Sequence, residues 1–200
     1  MIRLELLAIS EWVKQDSRVL DLGCGDGALL EHLQQTKSVD GLGLEIDADK
    51  ITRGIERGIC VIEHDLDKGL SRFADGSFDT VVMSQTLQAV HNPHLVLNEM
   101  LRVGRECIIT FPNFGYWRAR WHLTVRGRMP VSRFMPYAWY DTPNIHFCTV
   151  KDCEVLCRNE GIAILHRTVQ DNEHKHSRLG RLWPNLFGTN AIYHVSRRPK

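Results

Sequence analysis

What this 200-residue chain lacks narrows its function before any motif is read. No run of consecutive apolar residues exceeds four, so no segment is long enough to cross a bilayer as a helix. The opening MIRLELLAIS carries Arg3 and Glu5 where a secretion signal needs an unbroken apolar centre, and a cytoplasmic protein with no membrane contact is expected. Excess charge of either sign is missing: the net charge is +1 and the isoelectric point about 7.7, so the chain as a whole has no field that would draw nucleic acid. No C-x-x-C pair occurs among the cysteines at 24, 60, 107, 148, 153 and 157. His146, Cys148, Cys153 and Cys157 lie close in sequence, but their spacing matches no common zinc pattern; buried, reduced thiols are expected, and no metal is assigned. Acids are absent between Cys107 and Tyr140.

What is present alternates. Residues 4 to 13 repeat apolar positions at helical spacing, with Leu4, Leu7, Ala8, Trp12 and Val13 on the expected inner side. Short β-rich runs follow at 18–22, 39–46, 60–63, 78–83 and 107–111, separated by helical patterns from 28, at 48–58 and at 93–103. Right-handed crossovers place such helices on both faces of a parallel sheet, so the fold class is α/β. A helix at 149–160 with Thr149 as N-cap comes next. Two further strands, 161–169 and 191–195, are joined by a loop through Pro184 and suit an antiparallel edge. The length fits one domain spanning 1–200. Residues 112–147 break the rhythm with four of the seven prolines and 9 of the 16 aromatic residues, and read as an insertion.

The first strand ends in RVLDLGCGDG, three glycines within five residues. Glycine there lets a ligand lie against bare backbone. The spacing is G-x-G-x-G rather than G-x-G-x-x-G, and Asp21 at its mouth disfavours a diphosphate. Glu45 ends the second strand 22 residues after Gly23, the offset at which an acid accepts hydrogen bonds from ribose hydroxyls. With Leu44 and Ile46 apolar, strand alternation is expected to set Glu45 apart from buried neighbours; Asp47 is its competitor.

The run Asp21-Leu-Gly23-Cys24-Gly25-Asp-Gly27 resembles the first motif, D-x-G-x-G-x-G, of the class I S-adenosylmethionine-dependent methyltransferases. The resemblance implies a Rossmann-like, doubly wound, seven-stranded sheet that binds S-adenosylmethionine or S-adenosylhomocysteine. It places the cofactor against Asp21, Gly23, Cys24, Gly25 and Gly27, with Glu45 and Ile46 at the ribose, Asp65 and Leu66 at the adenine, and Ser84 in the pocket. Asp67 rivals Asp65; Asp79 is expected near the start of the fourth strand and Gln85 facing the pocket, both on the ligand side of the sheet. SQTLQAVHNP at 84–93, HDLDKGL at 64–70 and FPNFGYWRARW at 111–121 are similar to the methionine-biosynthesis MetW family. That likeness implies work alongside a homoserine O-acyltransferase and does not itself establish methyl transfer.

Catalytic residues are not assigned. His91 and His94 are unorganised as bases, Cys24 reads as a small residue that fits the turn, and no Asn-Pro-Pro-Tyr motif occurs. Only 17 residues precede the first strand, room for one short helix as a lid. In the insertion Arg118, Arg120, Arg126, Arg128 and Arg133 alternate with Tyr116, Trp117, Trp121, Phe134, Tyr137 and Trp139. Arginine with tryptophan and tyrosine is the composition of protein interface hot spots, whereas nucleic acid is disfavoured by the neutral remainder; a lid packed on the sheet is the plain alternative. The histidines of 172–177 read as a solvated loop.

Overall fold

Four of the five residues of β1 (Arg18–Leu22) are buried, because this strand lies in the interior of a sheet covered on both faces. A computed structural model describes residues 4–132, 135–170, 180 and 182–198. Its elements are α1 (Leu4–Trp12), β1, α2 (Ala28–Lys37), β2 (Asp40–Glu45), α3 (Ala48–Glu56), β3 (Cys60–Glu63), β4 (Phe78–Ser84), α4 (Pro93–Val103), β5 (Gly104–Pro112), α5 (Trp117–Arg126), α6 (Val150–Asn159), β6 (Ile162–Gln170), α7 (Pro184–Phe187) and β7 (Asn190–Arg197). The strand order is β3-β2-β1-β4-β5-β7-β6. Neighbours from β3 to β5 pair in parallel, and β7 enters antiparallel between β5 and β6, which puts the antiparallel pairing at one edge of a mostly parallel sheet. The order reverses between β1 and β4, the point at which doubly wound sheets open a crevice beyond their strand ends.

Each face of the sheet carries its own apolar layer. Leu20, Met83, Ile109 and Tyr193 belong to the layer packed with α4 and α6, and Val19, Val82, Ile108 and Ile192 to the one packed with α1 and α2. Successive residues of one strand alternate between layers, as the pleat requires. The expected inner side of α1 is corrected. Glu5, Leu6, Ala8, Ile9 and Val13 are buried, whereas Leu7 is exposed. Apolar residues lie on more than one side of this helix, so periodicity alone did not select the face; contact with the sheet did.

The insertion leaves and rejoins the fold at one point. Asn113 pairs with Cys148 in an isolated bridge, and the Phe114 N–H donates to the Cys148 carbonyl (3.0 Å). The buried Asn113 amide accepts from Gly115 and Val150 N–H and donates to the carbonyls of Pro184, Asn185 and Gly188. Between these feet stands α5, a helix not expected from the sequence, where Arg and Trp obscure its period. Thr149 caps α6 in a reciprocal capping box with Asp152. Pro184, expected in a loop, opens the short α7. Arg133, Phe134 and residues 172–177 lie outside the described residues. Among those described, no helix is long and apolar enough to cross a membrane.

Candidate functional site

Gly23, Gly25 and Gly27 all have positive φ, between 60° and 76°, the left-handed region in which side chains are strained. They differ in what a side chain would meet. A Cβ on Gly23 would strike Thr86 Oγ1 at 2.5 Å, and one on Gly27 would meet Ile59 at 3.0 Å; one on Gly25 would have no described atom within 4 Å. Gly23 and Gly27 are therefore required by packing, and Gly25 borders open space. That space is a cleft of about 670 Å³ beyond the carboxyl ends of β1, β2 and β4, a size ordinary for small-molecule sites.

Of the ten residues assigned from sequence, Gly23, Gly25, Glu45, Ile46, Asp65, Leu66 and Ser84 line this cleft. Asp21, Cys24 and Gly27 are not on its wall. Asp21 is buried in β1 behind the loop, and Gly27 is the N-cap position of α2. Cys24 turns toward β2, where its Sγ would lie 2.5 Å from a Cβ on Gly43. Burial first, then Asp21 and Glu45, pushes its thiol pKa up to about 12, so it is no nucleophile.

The expected alternation around Glu45 is also reversed: Glu45 is 6% exposed and Ile46 62%. β2 ends at Glu45, so the pleat no longer dictates where Ile46 points. The carboxylate can be buried because backbone amides satisfy it. Gly25 N–H donates to Oε2 (2.8 Å), and Ile46 and Asp47 N–H donate to Oε1 (2.9 and 3.1 Å). Glu45 thus ties the glycine loop to β2 and fixes its own position, leaving a carboxylate against the cleft for hydroxyl donors. Its competitor Asp47 is occupied as N-cap of α3, accepting from Asp49 and Lys50 N–H.

Asp65 and Asp67 both reach the cleft. Asp65 caps a single 3-10 turn, Leu66–Lys68, while Asp67 accepts from the His91 N–H (2.8 Å) and lies 2.6 Å from its Nδ1. This pairing raises the His91 pKa and lowers that of Asp67. His91 is consequently held by Asp67. Asp79 is near the start of β4 as expected, but that is the end of the sheet opposite the cleft, where it accepts from the Arg18 N–H.

Sequence reasoning missed Glu5. The carboxylate of this buried α1 residue accepts hydrogen bonds from Ser84 Oγ (3.1 Å), Gln85 Nε2 (3.1 Å) and Thr110 Oγ1. Gln85 has φ +55°, and its N–H is held by the Thr110 carbonyl and hydroxyl, so the cluster fixes a strained turn at the cleft wall. The available signal was an acid set among Leu4, Leu6 and Leu7 in the apolar first half of the helix. Sequence reasoning also left open whether the insertion roofs the site: Tyr137, Pro143 and Asn144 line the cleft, and the N–H groups of Ile145 and His146 hold their strap to the Gln88 carbonyl (2.8 and 3.0 Å).

A family model described as "Methionine biosynthesis protein MetW" matches residues 3–195. The chain belongs to the MetW family. It is 40% identical over 166 residues to the "Bifunctional methionine biosynthesis protein MetXA/MetW" of Rhodopirellula baltica, a match covering 78% of this chain and 27% of that much longer relative. Among solved structures, a SAM dependent methyltransferase from Archaeoglobus fulgidus superposes with a TM-score of 0.72 at 16% identity, covering 96% of this chain and 91% of its own. An S-adenosylmethionine dependent methyltransferase from Mesorhizobium loti gives 0.71 at 18%, covering 98% of both. The cyclase SpnF gives 0.67 at 17%, covering 98% of this chain and 81% of its own. These neighbours share the fold, and since one is named for a cyclisation, the fold does not by itself specify methyl transfer.

Proposed function

We propose that this MetW-family chain binds S-adenosylmethionine or S-adenosylhomocysteine in the cleft and acts as an accessory, regulatory partner of a homoserine O-acyltransferase in methionine biosynthesis. The observation that carries the ligand is the pairing of open space over Gly25 with the amide-anchored carboxylate of Glu45, 2.8 Å from the Gly25 N–H. A nucleoside fits that pairing: ribose hydroxyls donate to Glu45, and the exposed face of Ile46 covers the sugar or base. Asp65 or Asp67 accepts from an exocyclic amine. The acids around the glycine loop suit a ligand carrying ammonium and sulfonium charge rather than phosphate. The partner is supported by the Rhodopirellula relative, whose name joins a MetXA part to a MetW part in one protein.

The accessory role rests on what surrounds the cleft. His91 is engaged by Asp67 and exposed, and the Cys24 thiol is held protonated, so neither of these groups is poised to take a proton beside Ser84. The strap that lines the cleft with Tyr137 and Asn144 turns Trp139 and Tyr140 outward, so one segment meets both ligand and surroundings. Ligand binding then changes docking to the extent that it binds the free and docked forms differently. Calorimetry with both nucleosides on wild type and Glu45→Ala tests the site. Acyltransferase assays with and without this chain, across ligand concentrations, test the role; an acyltransferase indifferent to the chain at every concentration refutes it.

Glu5 favours a second reading, a methyltransferase for a small molecule. Bound S-adenosylmethionine would supply an electrophilic methyl group. Glu5, buried behind Ser84 and Gln85, would orient their polar groups toward an acceptor. Labelled methyl transfer into a metabolite extract distinguishes this reading, since the accessory role forms no labelled product.

A further inference from the structure

Helix α5 is ten residues long, and only Ala119 in it is buried. Isolated helices below about 12–15 residues are marginal in water, and tertiary packing of an apolar face normally sustains them. The apolar stripe of α5 faces away from the protein: Trp117, Trp121 and Val125, spaced four apart on one side, are all exposed. Arg118 lies over the Trp117 ring, 5.3 Å from its centroid, which holds that ring and a positive charge together on the surface. The strap adds Trp139 and Tyr140, edge to face at 5.7 Å. A shallow groove is walled by Phe114 before α5, Met129 after it, and Met135, Trp139 and Phe147 of the strap.

Exposures of 40% for Trp117, 65% for Trp121, 74% for Trp139 and 75% for Tyr140 leave on the order of 500 Å² of aromatic surface in water, taking roughly 150–250 Å² per side chain. Summed over the four side chains, that is more than half of the area that one side of a standard protein interface contributes. Its charge is mainly positive: Arg118, Arg126 and Arg128 are exposed and no acid occurs from Cys107 to Tyr140, against the one exposed acid of the strap, Asp141.

We propose that the α5 and strap face is the surface on which the acyltransferase docks, by an acidic patch with apolar pockets that receive Trp121 and Trp139. This rests on the accessory reading above and names its surface. Charge selects the occupant. A second copy of this chain would have to set the arginine face against itself or find an acidic counterpart, whereas an acidic partner neutralises it while burying the tryptophans. The Rhodopirellula relative shows that MetXA and MetW parts are held together on one chain.

The test uses full-length protein and the acyltransferase of the same organism, with binding followed by surface plasmon resonance and masses by analytical ultracentrifugation. Trp121→Ala and Trp139→Ala each weaken docking at least about tenfold, as central aromatic anchors do. The Arg118→Glu, Arg128→Glu double variant slows association and flattens its salt dependence. All three retain the wild-type melting temperature, and Trp121→Ala, outside the cleft, binds S-adenosylhomocysteine within about twofold of wild type. A wild type that binds the acyltransferase while every variant binds equally well overturns the surface and leaves the accessory reading standing. A wild type that does not bind the acyltransferase overturns both. Self-association abolished by Trp121→Ala, or oligothymidine binding abolished by the double variant, with acyltransferase binding untouched, also overturns it by assigning the face to another occupant.

Discussion

Replacing Gly25 by alanine separates what the glycine loop does for the fold from what it does for a ligand. Gly25 sits at φ +60°, and an added methyl meets no described atom within 4 Å. The folded state therefore bears the left-handed backbone penalty of roughly 1–2 kcal/mol. Part of it is offset because alanine leaves the unfolded chain about 0.4–1 kcal/mol less entropy to lose. The net loss is about 1 kcal/mol, or roughly 2–4 °C in melting temperature for a chain of this size. The methyl occupies the space in which the nucleoside is proposed to rest, so affinity falls at least about tenfold, equivalent to roughly 1.4 kcal/mol. Gly23→Ala is the contrast: its methyl would lie 2.5 Å from Thr86 Oγ1, so strain and steric overlap together cost about 2–4 kcal/mol of stability. Scanning fluorimetry reads the first effect and calorimetry with S-adenosylhomocysteine the second. Gly25→Ala binding that ligand as tightly as wild type, with the small expected drop in melting temperature, refutes the placement of the ligand against the loop.

Three further outcomes are expected. Asn113→Ala leaves the two insertion feet and the α7 carbonyls without five hydrogen bonds and lowers stability by about 2–4 kcal/mol, read by urea denaturation; a loss below about 1 kcal/mol shows that Asn113 does not hold the insertion. Cys60 is the exposed thiol of the six, so a disulfide reagent titrates it first in the native protein and Cys60→Ser removes the fast phase; a fast phase surviving in that variant contradicts the assigned burial. Burial lowers the His194 pKa below its ordinary 6.5, so the unfolded chain takes up protons that the folded ring resists, and the His194 contribution falls as pH drops through about 6.5. His91, raised by Asp67, acts oppositely, stabilising below about 6.5 and losing its contribution as pH rises through its elevated pKa. The comparison is accordingly between wild type and His194→Asn, whose stability loses less between pH 7.5 and 5.5; parallel curves refute it.

The legible parts of the chain share a physical basis. β3 and α4 were read with their observed bounds, and Thr149 was read as the cap it is, because each depends on neighbours within a few residues: β-rich composition between breakers, Pro93 at the first helical position, and a hydroxyl three residues before Asp152. The glycine motif lies where the structure opens a cleft, with Gly23 and Gly25 on its wall. Its failures were equally local in origin. The alternation argument for Glu45 assumed a pleat continuing past the strand end, and the inner side of α1 was chosen from period without knowing what lay across from it.

By itself the amino-acid order determined where strands and helices alternate, that the first turn needs positive φ, and that an acid follows at nucleotide-binding distance. These are backbone and short-range effects, carried wherever the segment goes. Only the tertiary structure decided that a side chain at Gly25 would enter open space while one at Gly23 or Gly27 would strike Thr86 or Ile59, since those two residues arrive from far along the chain. It likewise brought Glu5 to Thr110 across 105 positions and left the tryptophans of α5 in water. Burial is a property of what packs against a residue, and a residue's neighbours in sequence do not specify it.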